Sequence, residues 1–331
     1  MSRKKRILLA HILGSGGKRM LNSRQDVECV EFHNTITPEA FRQLFNQFDY
    51  VDGVILGVTP FGAAELDAAR GLRVVSRIGV GFDAVDIPCL TEAGVPVMVC
   101  ANANHRAVAE HTLGFILGLA KRAGELDSLV KQGRWQERYD YLPTEIEGRR
   151  LLIVGLGRIG SRVAQLAIAL GMDVSAYDPY LDEARWLAGV TRVTSLDEAL
   201  PEADYVTLHC PKTPETIGMM DAQRLGRMKR GAFLVNTARG GIVDEGALFL
   251  LLVEKHLAGA ALDVFLPEPP TQQNPLLSLP NVICSPHLSG VSAEAVERMG
   301  MMAARNALEV LDGGGDPANA VNPSALALAA H

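Results

Sequence analysis

Three polar residues lie far apart in the chain and have the side chains that proton and hydride chemistry needs. They are Arg239 in Asn236-Thr237-Ala238-Arg239-Gly240, Glu268 in Asp263-Val264-Phe265-Leu266-Pro267-Glu268-Pro269, and His287 in Ser285-Pro286-His287-Leu288-Ser289-Gly290. A guanidinium grips a carboxylate through a planar fork of donors. An imidazole gives and takes a proton near neutral pH. A carboxylate on its other ring nitrogen favours the charged form and fixes the ring. With a cofactor that carries a hydride, these are the parts for oxidising a 2-hydroxy acid or reducing a 2-keto acid.

The segment Gly155-Leu156-Gly157-Arg158-Ile159-Gly160 supplies the place for that cofactor. The glycine spacing alone is a weak signal. Its setting is stronger, because an apolar strand precedes it, an apolar-periodic helix follows, and Asp178 closes the next strand. Gly155 permits the tight turn, Gly157 lets backbone approach a pyrophosphate, and Gly160 lets the helix pack close to the sheet. The N–H groups at the helix start, with Arg158 and Ile159, face the phosphates. A carboxylate at Asp178 can accept from ribose hydroxyls and repels a 2′-phosphate, so NAD is expected over NADP.

Two blocks of alternating strands and helices must position these groups. In the first, strands are expected at Ile7–Ile12, Val27–Phe32, Gly53–Leu56, Val74–Ile78 and Val97–Cys100, with helices at Pro38–Phe48, Ala63–Ala69 and Cys89–Ala93. The basic lead-in and short apolar run at the start are broken by His11 and by a turn at Gly14-Ser15-Gly16-Gly17, which predicts a first strand rather than a leader. A long helix follows from His105 to about Leu129, too apolar for one buried stripe, and Lys131–Gly148 is a polar connection. The second block has strands at Leu151–Val154, Asp173–Tyr177, Tyr205–Leu208, Ala232–Asn236, Gly259–Asp263 and Val282–Ser285, and a helix at Ile159–Leu170. A last helix spans Ala293–Leu311. Alternation of this kind means βαβ units and parallel sheets.

Composition narrows the function classes. The 331 residues are 48% hydrophobic and 21% charged, as in globular proteins with room for two cores. A net charge of −6 offers no basic field, so neither nucleic acid nor a membrane surface is expected as a partner. No apolar run reaches the ~20 residues that span a bilayer. The five cysteines (Cys29, Cys89, Cys100, Cys210 and Cys284) are scattered, without metal-ligand spacing. They read as buried free thiols of a reducing cytoplasm, with no metal site.

The ordered motifs resemble the D-isomer-specific 2-hydroxyacid dehydrogenase family. The resemblance runs from about Asp52 to Pro323 and rests on Val75-Ser76-Arg77-Ile78-Gly79-Val80-Gly81-Phe82-Asp83-Ala84-Val85-Asp86, on Val108-Ala109-Glu110-His111, and on Gly155–Gly160. It continues through Leu208-His209-Cys210-Pro211-Lys212-Thr213-Pro214-Glu215-Thr216, Met228-Lys229-Arg230-Gly231-Ala232, Asn236–Asp244 and the Glu268 and His287 segments. It implies two doubly wound parallel-sheet domains with a cleft between them. A flavodoxin-like substrate domain would comprise residues 1–103 and 296–331, and a Rossmann NAD-binding domain residues 104–295. Arg239, Glu268 and His287 are the implied catalytic residues. His209, Cys210, Pro211 and Thr216 should line the NAD, Asp263 should meet the nicotinamide amide, and Thr237, Ala238 and Gly290 should flank that ring. Substrate binding would fall to Arg77, the N–H groups of Val80 and Gly81, Asn104 and Arg239.

Formate dehydrogenase-like members carry Gln where this chain has Glu268, which argues against that chemistry. Phosphoglycerate dehydrogenase-like members often carry an arginine in or just after the Gly53–Leu56 strand, where this chain has Gly57. No regulatory domain is expected after the last helix. The expected function is therefore an NAD-dependent 2-keto acid reductase of small glyoxylate- or hydroxypyruvate-like substrates, working as a cytoplasmic homodimer. The alternatives are D-3-phosphoglycerate dehydrogenase and an NAD(H)-sensing, corepressor-like interaction protein of the same fold.

Overall fold

The computed structural model describes residues 3–329 and forms two compact units, one from the residues up to Asn104 with those from Val291 onward, the other from His105–Gly290. The discontinuous unit holds a five-stranded sheet of β1 (Lys5–Ala10), β2 (Val27–Phe32), β3 (Gly53–Leu56), β4 (Val74–Arg77) and β5 (Val97–Met98). All pairings are parallel, in the order β2-β1-β3-β4-β5. This is the flavodoxin-like order, which reverses between β1 and β3. β3 and β4 are buried along their whole length, and β3, Gly53-Val54-Ile55-Leu56, reads as a continuous apolar run, whereas β4 ends in the buried polar residues Ser76 and Arg77.

Phe32, Phe41, Phe45 and Phe61 cluster with Leu8, Val54 and Val75 in one core of this unit. Thr37 and Asp86 cap the helices Pro38–Phe45 and Ile87–Glu92 by accepting from backbone N–H groups, each with proline in the first turn. The Gly14–Gly17 segment, expected as a turn, instead opens a helix, Ser15–Asn22. Its glycines serve packing. A Cβ on Gly17 would lie 2.4 Å from the Gly300 carbonyl oxygen, and one on Gly14 2.8 Å from that of Val296. Both contacts are with the helix Ala293–Leu311, whose Glu297 accepts from the N–H groups of Ser15 (2.9 Å) and Gly16 (2.8 Å). The same helix reaches the sheet, where its Ala303 carbonyl accepts from Ser76 Oγ at 2.9 Å. Asn322 then accepts from the Val97 N–H at 2.7 Å.

The continuous unit carries β6 (Arg150–Val154), β7 (Asp173–Tyr177), β8 (Thr191–Val193), β9 (Tyr205–Leu208), β10 (Phe233–Asn236), β11 (Gly259–Leu262) and β12 (Val282–Cys284). They form one parallel sheet in the order β12-β11-β10-β9-β6-β7-β8. Six of these strands follow the dinucleotide-binding order, which reverses between β6 and β9. Leu152, Val154, Val206, Leu208 and Leu234 fill one face, and Leu151, Ile153, Tyr205, Val235 and Ala261 the other. β8 has no counterpart among the expected strands. It is a short, partly exposed edge strand with no apolar run to reveal it.

The helix expected over His105–Leu129 is two helices, His105–Ala120 and Ala123–Lys131, broken at Arg122 with φ 49°. The side chain of Arg122 holds Glu125 at 2.7 Å across the break. The first helix buries Val108, Leu113, Phe115, Ile116 and Leu119, so its apolar character is spent inside the unit on more than one side. The expected connection after it contains a 3-10 segment, Trp135–Tyr141. No helix among the described residues is long and apolar enough to cross a membrane.

Candidate active site

At the C-terminal ends of β10, β11 and β12 the chain brings Arg239, Glu268 and His287 into one neighbourhood of the continuous unit. Arg239 follows β10 in a turn fixed by Asn236, whose Oδ1 accepts from the Ala238 N–H at 3.0 Å while its Nδ2 donates to the Arg239 carbonyl at 3.1 Å. Gly240 cannot carry a side chain, because a Cβ there would fall 1.8 Å from the Phe265 carbonyl oxygen. That close approach sets the loop after β10 against the loop after β11, which bears Glu268. Thr237 is buried and its hydroxyl meets that of Thr112 at 3.0 Å.

His287 Nδ1 lies 2.8 Å from Glu268 Oε2, and the other carboxylate oxygen accepts from the Phe265 N–H at 2.9 Å. The Glu268 hydrogen bond raises the His287 pKa above its ordinary 6.5, against the opposing effects of burial and of the Arg239 charge. Burial alone would push Glu268 up, but its bonds to His287 and Phe265, with the His287 and Arg239 charges, bring it below 4.5. With Nδ1 committed to Glu268, the Nε2 edge of His287 is the one left to meet a reactant.

His287 sits at φ 55°, in the left-handed region, where a non-glycine residue must be held in place. The holding group is Asp263 at the end of β11. It is fully buried, and its carboxylate accepts from the Ser285 hydroxyl, from the Leu288 N–H at 2.8 Å and from the Ser289 N–H at 2.9 Å. Its carbonyl accepts from the His287 N–H at 2.9 Å. Asp263 thus clamps the backbone on both sides of His287, a supporting part beside the contact with the nicotinamide amide expected of it. His111 joins this support through Ser285 Oγ at 3.1 Å, a part to which the sequence assigned no role.

The glycine turn stands at the end of β6. Gly155 has φ 94°, and a Cβ on it would lie 2.8 Å from the Cys210 N–H nitrogen. A Cβ on Gly160 would fall 2.0 Å from the Gly155 carbonyl oxygen, so the helix Arg158–Ala169 can approach the strand only at a glycine. A Cβ on Gly157 would meet nothing within 4 Å, which leaves the space before the helix N-terminus open for a phosphate. Arg158 is exposed at that end and Ile159 half-buried. Asp178 accepts from the Leu156 N–H at 2.9 Å and from the Tyr180 N–H at 3.1 Å, which fixes it beside the turn.

The wall after β9 is neutral. Burial pushes His209 down to about 3, so it is uncharged, and Nε2 meets Thr207 Oγ1 at 3.0 Å. Burial pushes the Cys210 thiol up to about 11, so it too stays neutral. Thr216 Oγ1 donates to the Pro211 carbonyl at 2.6 Å and shapes the following turn. These residues fit a dinucleotide: an open cradle at Gly157, a carboxylate beside it and an uncharged wall. Gly290 closes the stretch after His287 and is half-buried.

The remaining expected residues lie in the other unit. Arg77, at the end of β4, is buried and its Nε donates to the Gly81 carbonyl at 3.0 Å, bracing the turn that carries Val80. Gly79 enters that turn at φ 142°, open to glycine alone. Asn104 is half-buried in the loop after β5. Gly57 is filled from the side, since a Cβ there would lie 1.8 Å from Asn34 Oδ1, the acceptor of the Val58 N–H. Among the described residues no group of three or more His, Cys, Asp or Glu could hold a metal.

A parallel sheet of this order, with a glycine turn at its reversal and an acid/base pair beyond it, defines a dinucleotide-binding fold with oxidoreductase geometry. Residues 113–289 match the family model of the D-isomer specific 2-hydroxyacid dehydrogenase, NAD binding domain, and the chain belongs to that family. It is 37% identical over 260 residues to a D-3-phosphoglycerate dehydrogenase of Archaeoglobus fulgidus, covering 78% of this chain and 49% of that one. The chain spans about half the length of the curated relatives it matches. Among solved structures it is similar to the TT0316 protein of Thermus thermophilus (36% identity, TM-score 0.86, 96% of this chain and 99% of that one). It is also similar to a D-lactate dehydrogenase of Aquifex aeolicus complexed with NAD and lactic acid (26%, TM-score 0.82, 96% and 99%).

Proposed function

We propose that the protein is an NAD-dependent D-2-hydroxyacid dehydrogenase that works as a reductase of small, unphosphorylated 2-keto acids of the glyoxylate or hydroxypyruvate type. The observation that carries this reading is the His287–Glu268 pair at 2.8 Å beside Arg239, on the same sheet edge as the glycine turn. When bound, the nicotinamide supplies or accepts the hydride at C2 of the substrate. Arg239 holds the substrate carboxylate and polarises the C2 oxygen. His287, charged through Glu268, gives its Nε2 proton to that oxygen in reduction and takes it back in oxidation. Asp263 keeps His287 in its strained backbone state. The N–H groups of Val80 and Gly81, with Asn104 and Arg77, are assigned to substrate binding, as the family resemblance implies.

The small-acid preference is supported by Gly57, which stands where phosphoglycerate dehydrogenase-like members often carry a phosphate-binding arginine and where the Asn34 side chain occupies the space beside it. A second reading, D-3-phosphoglycerate dehydrogenase, is favoured by the names of the relatives. The test follows NADH oxidation by the purified protein with glyoxylate, hydroxypyruvate, pyruvate, phenylpyruvate, 2-oxoglutarate and 3-phosphohydroxypyruvate. Highest kcat/KM on one of the first two supports the proposal, and highest kcat/KM on the phosphorylated acid supports the second reading. A blank across the panel, with NADH bound, overturns both.

A further inference from the structure

The registers of β6 place its end level with those of both neighbours, since Val154 stands opposite Tyr177 of β7 and Leu208 of β9. Three loops therefore leave the sheet side by side: the one after β7, the glycine turn after β6 in the middle, and the one after β9. Two of their residues meet across the middle loop. The Tyr180 hydroxyl donates to the Glu215 carboxylate, although Tyr180 itself is 77% exposed. Each tip is anchored below. Tyr180 is tied through its own N–H to Asp178, and Glu215 lies in the turn closed by Thr216 Oγ1, which accepts from the Thr213 N–H at 2.8 Å. An exposed tyrosine gains nothing for the core by this contact, and the loop that leaves the sheet between the two carries Gly157, where a Cβ would meet nothing within 4 Å.

We propose that Tyr180 and Glu215 form a clasp over the adenosine end of the dinucleotide site, which retains NAD and adds a second negative charge against a 2′-phosphate. The inference rests on the reading of Gly155–Gly160 and Asp178 as the cofactor site. The bond joins two loops that belong to different βα units, so it can close only across whatever lies on the turn between them. Glu215 adds a second carboxylate to that of Asp178, from the other flank of the glycine turn, and two carboxylates oppose a phosphate more strongly than one. Tyr180 and Glu215 are positioning residues, since neither carries the proton or hydride.

The test is NADH and NADPH binding to the full chain, read by cofactor fluorescence at equilibrium and by stopped-flow displacement. Tyr180→Phe keeps the ring and loses the donor, and NADH should then dissociate about fivefold faster, the order of factor one hydrogen bond carries. Glu215→Gln keeps an acceptor and loses the charge. It should improve NADPH binding relative to NADH by about three- to tenfold, with NADH affinity changed less than about twofold. Both side chains are exposed, so melting temperatures should stay at the parent value. An unchanged NADH off-rate in Tyr180→Phe, or an unchanged NADPH to NADH ratio in Glu215→Gln, overturns the clasp while leaving the cofactor site standing. Failure of the unaltered chain to bind NADH overturns the cofactor site and the clasp with it.

Discussion

The His287–Glu268 pair has a pH signature whose sign follows from its two shifts. The Glu268 hydrogen bond raises His287 above its ordinary 6.5, so the imidazolium that reduction consumes persists to higher pH than in a free imidazole and is lost as pH rises through the raised value. The kcat/KM for keto acid reduction should fall along that limb. Glu268→Gln should move the fall toward 6.5, because the hydrogen bond that holds the proton is weakened. A basic limb that stays in place in Glu268→Gln would refute the coupling. The pair's contribution to stability is complete between about 4.5 and 6.5, is lost as pH rises through the raised His287 value, and is lost as pH falls through the lowered Glu268 value. His287→Gln should cut turnover by roughly 10²- to 10⁴-fold, with NADH affinity unchanged in a fluorescence titration. Turnover near the parent rate would remove His287 from the chemistry. The pair itself was legible in the sequence because its neighbours are glycine and proline on loops after strands. The role of Asp263 was not, since a buried carboxylate that clamps backbone N–H groups is written like one that faces a ligand.

Among the elements, strands were more legible in the sequence than helix boundaries. Parallel strands buried on both faces tend to be continuous apolar runs, so β3 and the Leu151–Val154 stretch of β6 could be read directly. The helix Ser15–Asn22 was hidden because its first residues are glycines, poor helix formers that are kept here for the close crossing with Ala293–Leu311. The break at Arg122 was hidden because nothing but its left-handed backbone marks it. The crossing makes a sharp prediction. Gly17→Ala places a methyl 2.4 Å from the Gly300 carbonyl oxygen, and overpacking against backbone should cost about 1–3 kcal/mol in urea unfolding. Gly157→Ala, where a Cβ meets nothing within 4 Å, should leave stability nearly unchanged while weakening NADH binding. Equal destabilisation by the two substitutions would contradict the separate packing and binding roles of these glycines.

The chain joins one continuous unit to one assembled from segments on either side of it. His105–Gly290 has its own sheet, its own two cores and every residue assigned above to the cofactor. Expressed alone, this segment should melt cooperatively and bind NADH, but reduce no keto acid, since Val80, Gly81 and Asn104 are outside it. A segment that neither melts cooperatively nor binds NADH would show that its fold depends on the rest. The helix Ala293–Leu311 has a further consequence, for the order of events on the ribosome. It supplies the partner of Ser76 in β4 and the cap of the helix Ser15–Asn22, and Asn322 beyond it completes β5. The sheet that is synthesised first therefore lacks its covering until these later residues emerge, whereas the sheet synthesised second can close at once. Biosynthesis runs against the usual N-terminal-first rule in this chain. The five-stranded sheet therefore waits for contacts that are translated last, which predicts that it gains protection from proteolysis later than the continuous unit during synthesis.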